Sequence, residues 1–229
     1  MADAGAAVTE ISTRGVSPSA LEIMDRTTIE CVERFRPGIL PGSMSAVLLI
    51  EVDGESGNVN HQIQVVIEAC ESSGGNLLRQ ARDDGDAEEI WESRRSISAA
   101  LGRIAPSKIG EDVCVPRARV PEMLEYLRQI GKKHDLMIAV FGHAGDGILH
   151  PNILTDRRNP EMMKRTEAAI SEVFDAAVGL GGTISGEHGI GLAKSSYLSR
   201  AVTGEALALM KMIKAGFDPE GILNPGKIF

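Results

Sequence analysis

The sequence predicts an α+β domain: a mixed, largely antiparallel sheet covered by helices on one side. Three observations carry this. Segments with helical apolar spacing alternate with short runs rich in Val, Leu and Ile. An Asp146-Gly147 pair stands between two apolar runs, and Asp-Gly is a favoured two-residue hairpin loop, so at least one strand pair is antiparallel. The chain has 229 residues, 43% of them hydrophobic, which suffices for one domain with a substantial core. A sheet with helices segregated to one face is the layered solution for such a pattern.

Residues 1–14 are small and polar and lack both a cationic start and an apolar core. They make no secretory signal and are expected to be disordered, with the folded domain over residues 15–229. Residues 45–52 read as a buried strand. Residues 59–70 put Ile63, Val66, Ile67 and Cys70 on one helical face. Residues 76–81 are strand-like, and residues 87–101 read as a helix ending at Gly102. Residues 111–115 form a short strand. Pro121 starts a helix at a position where proline is tolerated, with Val120, Met123, Leu124, Leu127 and Ile130 facing inward. Residues 136–141 and 149–154 are the hairpin arms. Asn159-Pro160 opens a long helix that buries Met163, Ile170, Val173, Phe174 and Ala177, and residues 204–215 make the last helix.

Composition excludes some functions. A net charge of −8 gives no nucleic-acid footprint, because phosphate backbones demand clustered Lys and Arg. No apolar run approaches the roughly 20 residues of a membrane span. Cys31, Cys70 and Cys114 are isolated and odd in number, which fits a reducing cytoplasm rather than a disulfide framework.

The chemistry concentrates in two segments. The run Gly142-His143-Ala144-Gly145-Asp146-Gly147-Ile148-Leu149-His150-Pro151-Asn152 places two imidazoles around the turn. A two-residue Asp146-Gly147 loop would set His143 directly opposite His150, with Cβ atoms roughly 5 Å apart, close enough to share a metal ion. Asn152 projects from the same face as His150. The second segment, residues 181–191, sets Glu187 and His188 among Gly186, Gly189 and Gly191. Neighbouring side chains of an extended chain point oppositely, so Glu187 can turn to a metal while His188 turns to a substrate. His143, His150 and Glu187 make a metal site with open positions, and Zn, Mn and Fe all accept such a set.

These segments resemble the hallmark motifs of the C-terminal region of FAD-linked oxidases of the vanillyl-alcohol oxidase type. The similarity is greatest to the glycolate oxidase, D-lactate dehydrogenase and D-2-hydroxyglutarate dehydrogenase group. The family's G-H-x-G-D-G-N-x-H-x-N run appears as residues 142–152, with Ile148 in place of the usual Asn. Its E-H-G-x-G run is Glu187 to Gly191, its W-x-x-R is Trp91 to Arg94, and its D-V-x-V-P is Asp112 to Pro116. Residues 218–229 resemble its closing D-P-x-x-x-L-N-P-G-K segment, and residues 15–25 resemble the helix entry after its first strand. The resemblance implies a ferredoxin-like α+β fold.

It also implies a chemistry: oxidation of a small 2-hydroxy acid, with FAD as hydride acceptor and a divalent metal at His143, His150 and Glu187. His188 would be the general base. Arg94, with Lys108 as second partner, would bind the substrate carboxylate, and Asn152 would orient it. Glu187, His188, Gly189 and Asn224 would lie against the flavin. No glycine-rich phosphate loop of the G-x-G-x-x-G type is present. The expectation is therefore a C-terminal domain incomplete at its N-terminal side, without the FAD-binding domain. Its partner would be an FAD-binding domain or subunit, and a homodimer is compatible with it. Two alternatives remain at this point: a catalytically silent paralogue that pairs with a partner or binds a metabolite, and a metal-dependent hydrolase without flavin.

Overall fold

The computed structural model describes residues 2–40 and 43–229. Its first element, α1 (Ala2–Thr13), lies where disorder is expected. Ala7, Val8 and Ile11 are buried, with Ala4 partly buried against the same core. Half of this i, i+3/i+4, i+7 stripe is alanine, a strong helix former with little apolar bulk, so it is easily mistaken for a polar tail. α1 packs against α3 (Ser56–Ser72) and α6 (Val120–His134).

Residues 15–25 enter a helix only through their last residue. They hold β1 (Ala20–Asp25), which pairs antiparallel with β2 (Ala46–Glu51). Between them, α2 (Arg26–Phe35) is capped by Asp25, whose carboxylate accepts from Thr28 N at 2.8 Å, a standard satisfaction of an orphan helix amide. Residues 76–81 form no strand, and Leu77 and Leu78 are exposed there. The helix expected over 87–101 starts earlier and breaks at Ser96 into α4 (Asp84–Arg95) and α5 (Ile97–Leu101).

Next come β3 (Ser107–Gly110) and β4 (Val113–Cys114). Both lie along the same edge of β6 (Ile148–Thr155) in one continuing register, Gly110 opposite Asn152 and Val113 opposite Leu149. The inward residues expected on α6 are all buried. β5 (Met137–His143) and β6 form the expected hairpin, and α7 (Pro160–Gly179) the long helix. Short α8 (Leu198–Ala201) and α9 (Gly204–Phe217) complete the elements.

The sheet order is β2-β1-β5-β6-β3, with β4 also on β6. Every strand pairing among the described residues is antiparallel, so the sheet is not mixed. An isolated bridge between Cys114 and Thr183 adds chain from beyond α7 to the outer side of β4. The succession β3/β4, α6, β5, β6, α7 and this bridge has the ferredoxin-like order, and β1 and β2 extend it.

Helices cover both faces rather than one. On one face, Leu21, Ile23, Ile138, Val140, Leu149 and Ile153 meet the larger layer that includes α6 and α7. On the other, Met24, Val47, Ala139 and Leu154 meet the short helices α2 and α5. By strand alternation, Glu22, Phe141, His150 and Asn152 share this second face, at the end beyond the short helices.

Candidate active site

The β5–β6 hairpin turns through four residues, 144–147, rather than two. Asp146 N donates to His143 O at 3.0 Å and Gly147 N to Ala144 O at 3.3 Å. His150 therefore faces Phe141, not His143. The backbone that follows β4 sets this geometry: Val115 N donates to Gly147 O at 2.9 Å, and a Cβ on Gly147 would stand 2.0 Å from Val115 O. His143 remains diagonal to His150 on the same face, within reach for long side chains, and their ring centroids are 5.3 Å apart.

The two imidazoles and Glu187 converge. Glu187 Oε1 is 3.1 Å from His150 Nε2 and 3.6 Å from His143 Nε2, and one ligand atom from each residue falls within a 4.8 Å cluster. Behind His143, Nδ1 is hydrogen-bonded to Glu22 Oε1. The same buried carboxylate accepts from Arg94 Nε through Oε2 at 2.6 Å. A carboxylate on the far nitrogen is the arrangement that orients metal-binding histidines. Burial pushes the His150 imidazole pKa down, with the nearby Glu187 pulling the other way, and a neutral imidazole is the form that binds metal. His150 Nδ1 is buried without a hydrogen-bond partner, while its Nε2 faces Glu187. The donor set fits a divalent metal.

His188 lies over His150 in a stack, centroids 5.3 Å apart and planes 11° from parallel. Its Nε2 is 3.5 Å from Glu187 Oε1 and its Nδ1 is 3.6 Å from Asp112 Oδ1. Glu187 and His188 thus line one cleft instead of pointing to opposite sides, because the backbone of 185–189 coils around Asp112 rather than running extended. Asp112 Oδ2 accepts from the amides of Gly186, Glu187 and His188 at 2.7, 2.7 and 3.0 Å. Burial resists ionisation of Asp112, but Lys194 and the His188 and Glu187 amides hold its carboxyl well below the usual carboxylate range.

The cleft encloses about 230 Å³ and is lined by Arg94, Phe141, His143, His150, Glu187 and His188, with Asn152, Gly110 and Glu111 completing it. Arg94 points inward, its guanidinium 4.6 Å above the Phe141 ring, while Arg95 bonds Glu88 at the surface. Two expected members lie elsewhere. Lys108 binds Ser98 Oγ at 2.7 Å and is not part of the lining. Asn224 sits at φ 49° in an exposed turn, its carbonyl accepting from Lys227 N at 3.2 Å. Gly189 is exposed at φ 78° beside the cleft. Sequence reasoning missed Glu22, Phe141 and Lys194, and gave Asp112 no role beyond its motif. The available signal for Glu22 was a lone carboxylate amid Leu21, Ile23 and Met24.

Residues 1–228 match the model of FAD linked oxidases, C-terminal domain. The chain belongs to this family. The match includes α1, so residues 2–13 are part of this FAD-linked oxidase C-terminal domain. Among curated relatives, glycolate oxidase subunit GlcD of Bacillus subtilis is 41% identical over 97% of this chain and 47% of its own length. The Escherichia coli K12 subunit of the same name is 35% identical over 98% and 45%. D-lactate dehydrogenase of Anaerostipes hadrus is 31% identical over 99% and 49%. The chain spans about half the length of the curated relatives it matches. In fold it is similar to 4-ethylphenol oxidase from Gulosibacter chungangensis, with TM-score 0.70, 17% identity, and coverage of 99% of this chain and 51% of that one.

Proposed function

We propose that this chain is the substrate-handling half of an FAD-linked 2-hydroxy-acid oxidoreductase of glycolate or D-lactate type. The observation that supports it is the convergence of His143, His150, Glu187, His188 and Arg94 on one small cleft. A cleft of about 230 Å³ suits a small acid rather than a dinucleotide. His143, His150 and Glu187 would hold a divalent metal, Zn, Mn or Fe, which polarises the substrate hydroxyl as a Lewis acid. The flavin, when bound, supplies the redox chemistry by accepting hydride from C2 of the hydroxy acid.

The remaining work falls to this chain's own side chains. Arg94 binds the substrate carboxylate through its Nη groups, since Nε is committed to Glu22, and a planar guanidinium holds both oxygens. Asn152 orients the acid from the β6 side. His188 takes the hydroxyl proton at Nε2, and Asp112 near Nδ1 favours the resulting imidazolium. Gly189, with no heavy atom within 4 Å of the position of a Cβ, leaves room for a flat ring beside Glu187 and His188.

The flavin would be carried by a partner domain or subunit. Support for a covering partner comes from α9 and the segment after it, where Leu209, Met212, Ile213, Phe217, Ile222 and Leu223 are all more than half exposed. Exposed large apolar side chains gathered in one stretch of chain are the mark of an interaction site.

Elemental analysis of the full chain after loading with a divalent metal tests the proposal. One metal per chain is expected in the wild type, with loss in His143→Ala and in His150→Ala, because two remaining ligands hold metal poorly. Equal metal content in wild type and His143→Ala would refute it.

A further inference from the structure

We propose that Asp112, locked by Lys194, is the positioning residue that sets Glu187 and His188 in the cleft. The inference rests on the function proposed above. Glu187 and His188 come from the irregular segment 181–191, which contains five glycines. Glycine loses more conformational freedom on ordering than any other residue. Left to itself such a segment would scatter both side chains. His143, His150 and Asn152, by contrast, are held by the ladder between β5 and β6.

One end of the segment is tied to the sheet by the reciprocal Cys114–Thr183 bonds, Cys114 N to Thr183 O at 3.2 Å and Thr183 N to Cys114 O at 2.7 Å. The backbone of its centre is gathered by Asp112. Three successive amides point at one carboxylate oxygen, a concavity of the kind that binds anions. Here the anion is part of the chain. Ser185 Oγ adds a bond to Asp112 Oδ2 at 3.2 Å and itself receives Gly189 N at 2.8 Å.

Lys194 completes the lock. Its Nζ donates to Asp112 O at 2.9 Å and also to Asp112 Oδ1. Asp112 is fully buried and Lys194 is 4% exposed. A buried pair earns little net stability compared with apolar side chains, so holding this segment is a physical use for it. Two of the three amides it gathers belong to Glu187, the loop's proposed metal ligand, and to His188, the proposed base. Asp112 also follows Glu111 in the register along β6, whose amide donates to Pro151 O at 3.0 Å. The lock therefore joins the strand that carries His150 to the loop that carries Glu187.

The test uses the full chain, with Co(II) as probe and hydrogen exchange as a second readout. In Asp112→Asn, Co(II) affinity should fall about 10–100-fold, the usual cost of losing an outer-shell partner. The ligand-field spectrum at saturation should change, because the Glu187 oxygen is no longer held, and mere destabilisation would leave the spectrum of the folded fraction intact. Amides of residues 186–188 should exchange faster, while those of β5 and β6 do not. If Asp112→Asn fails to fold, Asp112→Asn/Lys194→Met removes both charges of the pair, with Glu111→Gln added because Glu111 also faces Lys194 at 3.7 Å, and takes the same measurements. Wild-type affinity and spectrum in the variant would overturn the proposal. Should the wild type bind no Co(II), the metal reading fails, and the exchange experiment still decides: unchanged rates at 186–188 overturn the lock, and faster rates uphold it.

Discussion

Glu22 serves two groups with one carboxylate. It holds His143 through Oε1 and Arg94 through Oε2, joining a metal-ligand candidate to the proposed anchor of the substrate. Glu22→Gln keeps the shape and removes the charge, so metal affinity measured by calorimetry should fall about 10–100-fold. An unchanged affinity would show that Glu22 is only structural. Arg94 is tested against its neighbour. Arg94→Lys keeps the charge but loses the planar fork, so if the chain is reconstituted with the proposed flavin-bearing partner the Michaelis constant should rise. Arg95→Lys should change little, since Arg95 bonds Glu88 and Glu92 at the surface. The reverse result would move the carboxylate site by one residue. Motif register named Arg94, His143, His150, Asn152, Glu187 and His188, which all line one cleft. It misplaced Lys108, because the helix break at Ser96 turns Ser98 toward β3, where it captures Lys108. Glu22 stayed hidden because its partners lie 72 and 121 residues away, and no local pattern encodes such a pairing.

At the scale of elements, Asp25 joins three of them. It ends β1, caps α2 through Thr28 N, and accepts Val140 N of β5 at 3.0 Å. Burial pushes its carboxyl up to about 6, with Thr28 and the Val140 amide acting in the opposite direction. The folded state thus binds this proton more tightly than the unfolded chain, whose aspartates titrate near 3.9. Stability contributed by the group is full at low pH and is lost as pH rises from about 4 through about 6. Asp25→Asn should lack this loss, so the stability difference between variant and wild type should shift in the variant's favour across that window in denaturant titrations. A constant difference would contradict it. The junction was invisible in the sequence because β1 carries Glu22 in a short apolar run and pairs on both sides with distant strands. Where apolar spacing is long and regular, as in α6 and α7, the elements were legible. The hairpin was legible as a pair but not in register, since its turn is shaped by Val115, in the chain that follows β4.

Over the whole molecule, the boundary of the domain was the least legible feature. Segment 2–13 has the composition of a tail, yet Val8 and Ile11 are fully buried in the main core. Alanine-rich helices carry their signal in spacing and propensity rather than in hydrophobic mass, and α1 becomes stable only by docking on α3 and α6. The docking is long-range, so a local reading has no access to it. If α1 is part of the cooperative fold, Ile11→Ala should destabilise the chain by about 2–5 kcal/mol, the usual range for emptying a buried aliphatic site. Thr13→Ala, on the exposed side of the same helix, should stay within about 0.5 kcal/mol. Urea unfolding of both variants provides the comparison. A mobile α1 would make the two substitutions equivalent. A docked α1 separates them, and the proposed metal site, held on the opposite face of the sheet by β5 and β6, should then lose any metal it binds only when the whole domain unfolds.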